Sequence, residues 1–190
     1  MKSSKEFFEI TNWSILDWMM VFPELNIKYT ELFSLKERSD YHPENSCAEH
    51  ILRVYNRCRI IGDIDMMIAA IFHDICKLDA AKYVKDNNYS NIEEFNKKKE
   101  DRTLKTYGHA EMAAELLKKY KNEITDYFGN FDEVYYIVNN HMRIKQFKAM
   151  SYNKKYDMIS HPSYIKLALF NKADDMLFDF ENKFFNFKLY

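Results

Sequence analysis

The chain has 190 residues, a formal net charge of −1, 47% apolar residues and 30% charged residues, a balance typical of one water-soluble globular domain with a sizeable core. It has only three glycines and three prolines, too few for the many turns of a β sandwich or barrel, so a mostly helical fold is expected. The small net charge provides no global field that would attract nucleic acid, and no DNA-binding surface is evident.

Cysteine usage and the apolar pattern indicate the compartment. Cys47, Cys58 and Cys76 are too few and too irregularly spaced for a disulfide framework or a zinc ribbon, so they predict buried thiols in a reducing compartment. The first nine residues contain no apolar signal core, and no apolar run reaches the roughly 18 residues of a membrane span. We therefore expect a cytoplasmic protein without a membrane segment.

The first half of the chain alternates amphipathic segments with polar loops. Apolar periodicity predicts a helix over 4–20, and Pro23 starts a further short turn of helix. Residues 34–45 are polar and contain a proline, which predicts a loop. Ser46, with Glu49 three residues later, predicts the start of a helix that Gly62 ends. Residues 65–77, "DMMIAAIFHDICK", are apolar nearly all round, which predicts a helix at the centre of the fold.

The second half continues the helical pattern. Residues 79–106 are highly charged and predict helical pieces with a mobile, exposed loop that carries Lys97, Lys98 and Lys99. Helices are predicted over 108–120 and 131–145, and Pro162 starts the last long helix. The aromatic segment "FENKFFNFKLY" is expected to pack back on the body. The sequence thus predicts a single all-α domain of about six to nine helices: a helical appendage over 1–33, the main domain over 34–180 and a tail over 181–190.

The chemistry of the chain centres on His73 and Asp74, adjacent in its most apolar segment. Burying a carboxylate without a partner costs on the order of several kcal/mol. A divalent metal compensates that cost, because imidazole and carboxylate are both good ligands. A His-Asp pair satisfied within the core is the structural alternative.

Further candidate ligands favour the metal site. Each comes from a different predicted helix, as a metal cluster in a helical bundle requires. They are His50, His109, His141 and either Asp174 or Asp175.

The order of these residues resembles the HD superfamily of metal-dependent phosphohydrolases, with His73-Asp74 as the naming pair and Lys77 in an HD-x-x-K arrangement. The resemblance is closer to the C-terminal HD domain of bacterial CCA-adding tRNA nucleotidyltransferases, and it covers roughly residues 20–178. The stretches that carry it are "VFPEL" at 21–25, "YHPE" at 41–44, "HDICK" at 73–77, "YGHAE" at 107–111 and "KADD" at 172–175. No nucleotidyltransferase head precedes the domain in this chain, so nucleotide addition is not expected.

The resemblance implies a helical HD-domain fold that holds one or two divalent metal ions, drawn from Mn, Ni, Co, Fe, Mg and Zn. His50, His73, Asp74 and Asp174 match the first metal set. His109 and His141 match the two additional histidines of dinuclear members, in which Asp74 would bridge the ions.

The expected activity is hydrolysis of a phosphomonoester or phosphodiester of a nucleotide or RNA end by metal-activated water, like that of a 2′,3′-cyclic phosphodiesterase or phosphatase. Asp74 and Lys77 are the candidate catalytic residues. A nucleotidase, a dNTP or cyclic-dinucleotide phosphohydrolase, and a noncatalytic nucleotide-binding or tRNA-binding module remain as alternatives. The candidate substrate or phosphate ligands are Arg143, Lys145, Arg53, Arg57 and His42.

Overall fold

The computed structural model describes residues 12–36, 44–83 and 89–175, and these residues form helices and connecting turns with no strand among them. The all-α prediction is confirmed. Short irregular helical turns over 118–128 link the seventh and eighth helices. The α-helices in chain order are α1 Ile15–Val21, α2 Pro23–Leu32, α3 Cys47–Ile61, α4 Ile64–Phe72, α5 Lys77–Tyr83, α6 Ile92–Glu100, α7 His109–Leu117, α8 Phe131–Lys145, α9 Tyr152–Ile159 and α10 Tyr164–Asp174.

Helix α4 is the centre of the molecule, because every one of its residues is buried. It packs against α3, α7 and α8. The side chain of Asp63 caps its first turn by accepting a hydrogen bond from the backbone N–H of Met66 at 3.0 Å. The predicted central helix is therefore present.

The central helix is shorter than the predicted span of 65–77. The N–H of His73 still donates to the Ala69 carbonyl at 2.9 Å, but the N–H of Ile75 then donates to the Phe72 carbonyl at 3.2 Å. This tighter pattern turns the chain over 73–76, and α5 begins afresh at Lys77. The pair that the sequence placed within one helix lies instead in the turn that follows it.

Helix α3 begins and ends as predicted. Ser46 caps it by accepting a hydrogen bond from the backbone N–H of Glu49 at 3.3 Å. Gly62 ends it with a φ of 80°, a left-handed conformation that glycine adopts without steric cost. His50 therefore lies in the first turn of α3, on its buried side.

The N-terminal segment differs from the prediction of one helix over 4–20. Helix α1 starts only at Ile15, because Ser14 and Asp17 form a capping box in which each side chain bonds the other's backbone N–H. Residues 4–11 lie outside the described part. Trp18, Phe22 and Leu25 have no exposed surface, so α1 and α2 belong to the same core as α4.

Two further predictions need correction, and one helix was not predicted. The lysines at 97–99 lie on α6 rather than in a loop. Helix α9 was not predicted. The last long helix starts after Ser163, whereas Pro162 lies in the preceding turn. The tail over 181–190 lies outside the described residues, and the division into appendage, domain and tail stays a prediction. No helix in the described ranges is long and apolar enough to cross a membrane.

Candidate metal centre

His50, His73 and Asp74 converge in the buried interior between α3 and the end of α4. Nε2 of His50 lies 3.3 Å from Nε2 of His73. Oδ2 of Asp74 lies 3.4 Å from Nε2 of His50 and 3.2 Å from Nε2 of His73. All three side chains are nearly inaccessible to solvent. The three ligand atoms are close enough together to hold one metal ion.

The second oxygen of Asp74 faces another pair of histidines. Oδ1 lies 3.1 Å from Nε2 of His109 and 3.6 Å from Nε2 of His141. The two imidazole Nε2 atoms are 3.2 Å apart. His109 begins α7 and His141 lies on α8, so the packing of α7 against α8 brings this pair together. Asp74, His109 and His141 form a second group able to hold a metal ion.

Asp174 completes the first group from the last turn of α10. Its Oδ1 lies 3.0 Å from Nε2 of His50 and 3.9 Å from Nε2 of His73. Its Oδ2 lies 2.7 Å from Nζ of Lys145. The sequence left Asp174 and Asp175 as alternatives, and Asp174 is the one whose carboxylate contacts the histidines.

The orientation of three histidines shows whether a metal fits. Nδ1 of each lies 2.7 or 2.8 Å from the carbonyl oxygen three residues earlier, an acceptor, so Nδ1 carries the proton and Nε2 presents a lone pair. Two such lone pairs meet at 3.2 Å between His109 and His141, an arrangement that a cation stabilises. The residues thus fit a divalent metal. The histidine–carbonyl pairs are His73–Ala70, His109–Thr106 and His141–Val138.

The two buried carboxyl groups are held ionised. Burial raises the pKa of Asp74, but its interactions with His73 and Lys77 outweigh burial and hold the pKa well below its usual range. For Asp174, Lys145 and His50 likewise outweigh burial and lower the pKa. Ionised carboxylates are the form that binds a metal.

The pKa values of two of the histidines move in opposite directions. Burial lowers the pKa of His50, but the carboxylates of Asp174 and Glu44 outweigh burial and raise it to about 9. Burial lowers the pKa of His141. In the metal-free chain, His50 therefore carries the proton that partly balances the carboxylates, and His141 is the readier neutral ligand.

Lys77 lies against the centre rather than in solvent. Its Nζ is 2.8 Å from Oδ2 of Asp74, and the residue is 8% exposed. The sequence named Lys77 as a candidate catalytic residue, and in the structure its ammonium group pairs with the Asp74 carboxylate. Lys77 thereby favours the charged form of Asp74.

Glu44 is a residue near the centre that the sequence did not single out. Its Oε1 lies 3.9 Å from Nδ1 of His50 and 3.2 Å from Nη1 of Arg53. Its side chain is 8% exposed. The negative charge of this carboxylate near the rear nitrogen of His50 raises the basicity of the ring. The signal was the glutamate of "HPE", which stands six residues before His50.

The candidate phosphate ligands divide by position. Arg57 is only 2% exposed, and its Nη1 donates to the carbonyls of Ala173 and Asp175 at 2.9 and 3.0 Å. We do not retain Arg57 as a phosphate ligand, because these two hydrogen bonds occupy its guanidinium group and hold the end of α10 beside α3.

The remaining candidates reach solvent in part or lie beyond the described ranges. The side chain of Arg53 is 33% exposed and pairs with Glu44. Arg143 is exposed, and its Nη1 donates to Oδ1 of Asn140 at 2.8 Å. The side chain of Lys145 is 37% exposed although it pairs with Asp174. His42 lies outside the described residues.

Comparison with known proteins gives one match. A protein-family model described as HD domain matches residues 47–168, more than half of the chain. The matched span includes both histidine pairs and Asp74, and it ends before Asp174. No curated protein and no solved structure matches the chain significantly.

Proposed function

The chain belongs to the HD domain family, whose members are generally metal-dependent phosphohydrolases, and we propose that it hydrolyses phosphomonoester or phosphodiester bonds of a nucleotide or an RNA end. The proposed ligands are His50, His73, Asp74 and Asp174 for one ion. His109, His141 and the other oxygen of Asp74 would hold a second ion.

The observation that carries the proposal is the position of Asp74 between two histidine pairs. One carboxylate oxygen faces His50 and His73, and the other faces His109 and His141. A carboxylate that bridges two groups of ligands is the arrangement expected of a two-metal phosphoryl-transfer centre. A site that merely satisfied a buried aspartate would need only one partner such as Lys77.

A divalent metal bound at this centre would supply a nucleophile from water near neutral pH and screen the negative charge of the phosphoryl oxygens. The chain's residues provide the rest. The carbonyl-anchored imidazoles of His73, His109 and His141 hold their Nε2 atoms in place. Lys77 keeps Asp74 ionised.

Two cationic side chains near the metal centre reach solvent and are candidates to bind the phosphate group of the substrate. Lys145 reaches Asp174 from a partly exposed position, and Arg143 precedes Lys145 by two residues on the same helix. A phosphate oxygen at the centre would lie within reach of the Lys145 ammonium, which holds an anion as a point charge. These two residues therefore remain the proposed phosphate ligands.

Among substrates, 2′,3′-cyclic phosphates and nucleoside 2′-phosphates are the first choice, because the sequence resembles the HD domain of CCA-adding enzymes. This finer choice rests on the quoted motifs alone. A substrate panel that contains each of these compounds separates the first choice from nucleotidase, dNTP and cyclic-dinucleotide phosphohydrolase activities.

The test combines metal analysis with a substrate panel. The purified chain should contain a divalent metal and hydrolyse bis-p-nitrophenyl phosphate with Mn, Ni, Co or Mg, and Asp74→Asn should abolish both properties. Asp132→Asn is the matched control, because Asp132 is an exposed carboxylate in the first turn of α8. If the chain binds a nucleotide or tRNA but holds no metal and hydrolyses no phosphoester, the enzyme proposal is wrong and the chain is a noncatalytic binding module.

A further inference from the structure

The segment over 143–156, which begins two residues after His141, concentrates positive charge in a chain whose net charge is −1. It contains five cationic residues and no carboxylate, and Asp157 is the first acidic residue after it. Such a cluster is a local electrostatic site for an anionic polymer. The cations are Arg143, Lys145, Lys148, Lys154 and Lys155.

Among the described residues, Lys145 is the one cation of this segment that pairs with a carboxylate, that of Asp174. Lys155 donates to the carbonyl oxygen of Lys148 at 3.1 Å, which leaves its charge unbalanced. Within the described ranges, no carboxylate forms an ion pair with Lys148 or Lys154. By contrast, Lys119 and Lys166 on other helices pair with carboxylates. The segment thus retains charge for a ligand.

Aromatic side chains are interleaved with these cations. Tyr152 is 79% exposed and Tyr156 is 62% exposed, and their spacing of four residues places them on one face of α9. Nζ of Lys155 lies 5.8 Å from the ring centroid of Phe147, which ties α9 to the turn after α8. Exposed rings beside free cations suit stacked bases and a phosphate backbone.

We propose that the segment over 143–156 binds single-stranded RNA and delivers its end to the metal centre. The proposal rests on the proposed function and narrows its substrate from any nucleotide to a polynucleotide. Lys145 connects the two regions, because it lies in the segment and contacts Asp174. Charge alone would also suit an acidic protein, but the exposed tyrosines favour a ligand that presents aromatic bases.

The experiment measures RNA binding by the full chain without relying on turnover. Fluorescence anisotropy with a labelled oligouridine of about 12 nucleotides should show binding that weakens with salt. Lys148→Gln with Lys154→Gln should lower the slope of log affinity against log salt by roughly 1.4, since each phosphate contact on a single strand contributes about 0.7. The matched control is Lys97→Gln with Lys98→Gln on α6, which should leave the slope unchanged.

The tyrosines are tested separately. Tyr152→Ala should weaken RNA binding about tenfold, because a base loses its stacking partner. Tyr83→Ala is the matched control, since Tyr83 is 77% exposed and lies at the end of α5. The ratio of RNA-end hydrolysis to bis-p-nitrophenyl phosphate hydrolysis should also fall in Tyr152→Ala. Circular dichroism confirms that each variant is folded.

Each outcome bears on one proposal. Hydrolysis of the ester without RNA binding, or equal losses in the control variants, overturns the RNA proposal and leaves the phosphohydrolase in place. Binding to RNA without any hydrolysis supports the RNA segment and overturns the enzyme. Equal binding to polyglutamate would identify an acidic protein as the ligand, and tighter binding to single-stranded DNA would overturn the choice of RNA.

Discussion

Oδ1 of Asp74 lies 3.1 Å from Nε2 of His109, although Asp74 follows the central helix and His109 begins a helix much later in the chain. This contact makes Asp74 a member of both ligand groups. The two groups are therefore not independent, and a change in one residue can empty one or both of them.

Substitutions at the two residues should change metal stoichiometry differently. Wild-type protein is expected to bind two divalent ions, His109→Ala one, and Asp74→Asn none with high affinity. Phosphoesterase activity in Asp74→Asn should fall at least about 100-fold, the upper end of the loss seen when a supporting residue is removed. Elemental analysis and isothermal titration measure the stoichiometry. Retention of two ions by His109→Ala would show that the second group is not a metal site.

Glu44 is expected to position His50. Glu44→Gln removes the negative charge beside Nδ1 and should weaken metal binding roughly 10- to 100-fold. Nitrogen chemical shifts of His50 should report a lower pKa in the metal-free variant, because Glu44 helps to raise that pKa. Glu115→Gln, an exposed carboxylate on α7 that pairs with Lys118, should leave metal affinity unaltered. If Glu44→Gln binds the metal as tightly as the wild type, Glu44 does not position His50.

The raised pKa of His50 predicts the pH dependence of the metal-free chain. The carboxylates around His50 raise its pKa from 6.5 to about 9, so the folded chain holds that proton more tightly than the unfolded chain. The stabilisation is complete below pH 6.5 and is lost as the pH rises through about 9. The Tm of chelator-treated protein should therefore fall over this window, and His50→Gln should flatten the profile.

Metal affinity should follow the opposite trend over the same window. Binding to His50 requires its proton to leave, so affinity should rise from pH 6.5 to about 9. Titration with Mn at several pH values measures this slope. A flat affinity profile would indicate that His50 is already neutral or does not ligate.

Phe22 should matter for the stability of the whole chain. It is fully buried, and its ring lies 5.5 Å from that of Phe72 on the central helix. Phe22→Ala is expected to cost about 3–5 kcal/mol of unfolding free energy. Met20→Ala, at an 83% exposed position of α1, should cost less than about 0.5 kcal/mol. A separate early unfolding transition in Phe22→Ala would show that the N-terminal helices fold on their own.

Local signals predicted much of the fold. Ser46 and Gly62 marked the two ends of α3 and so placed His50 on its first turn. The span 131–145 was predicted with the bounds that α8 has. The candidate ligands were expected to converge because each came from a different predicted helix. Their order along the chain is the feature that resembles HD proteins.

Other features depend on interactions that a one-dimensional pattern does not contain. The break after Phe72 was missed because Ile75 and Cys76, which follow it, are also buried, so apolar periodicity continues through the turn. Arg57 was named a candidate phosphate ligand from its position on the helix of His50, and such a position gives the direction of a side chain but not its depth. Its burial depends on the carbonyls of α10, which come from the far end of the domain.

The carbonyl oxygens that orient His73, His109 and His141 have an evolutionary consequence. Each acceptor is the backbone carbonyl oxygen of the residue three positions earlier. The acceptor therefore remains when the side chain of that residue is substituted, provided that the local turn is kept. Sequences can therefore drift at Ala70 or Val138 without losing the orientation of those imidazoles. His50 has the side chain of Glu44 beside its rear nitrogen, so among the four histidines it is the one whose support a single amino-acid substitution can remove.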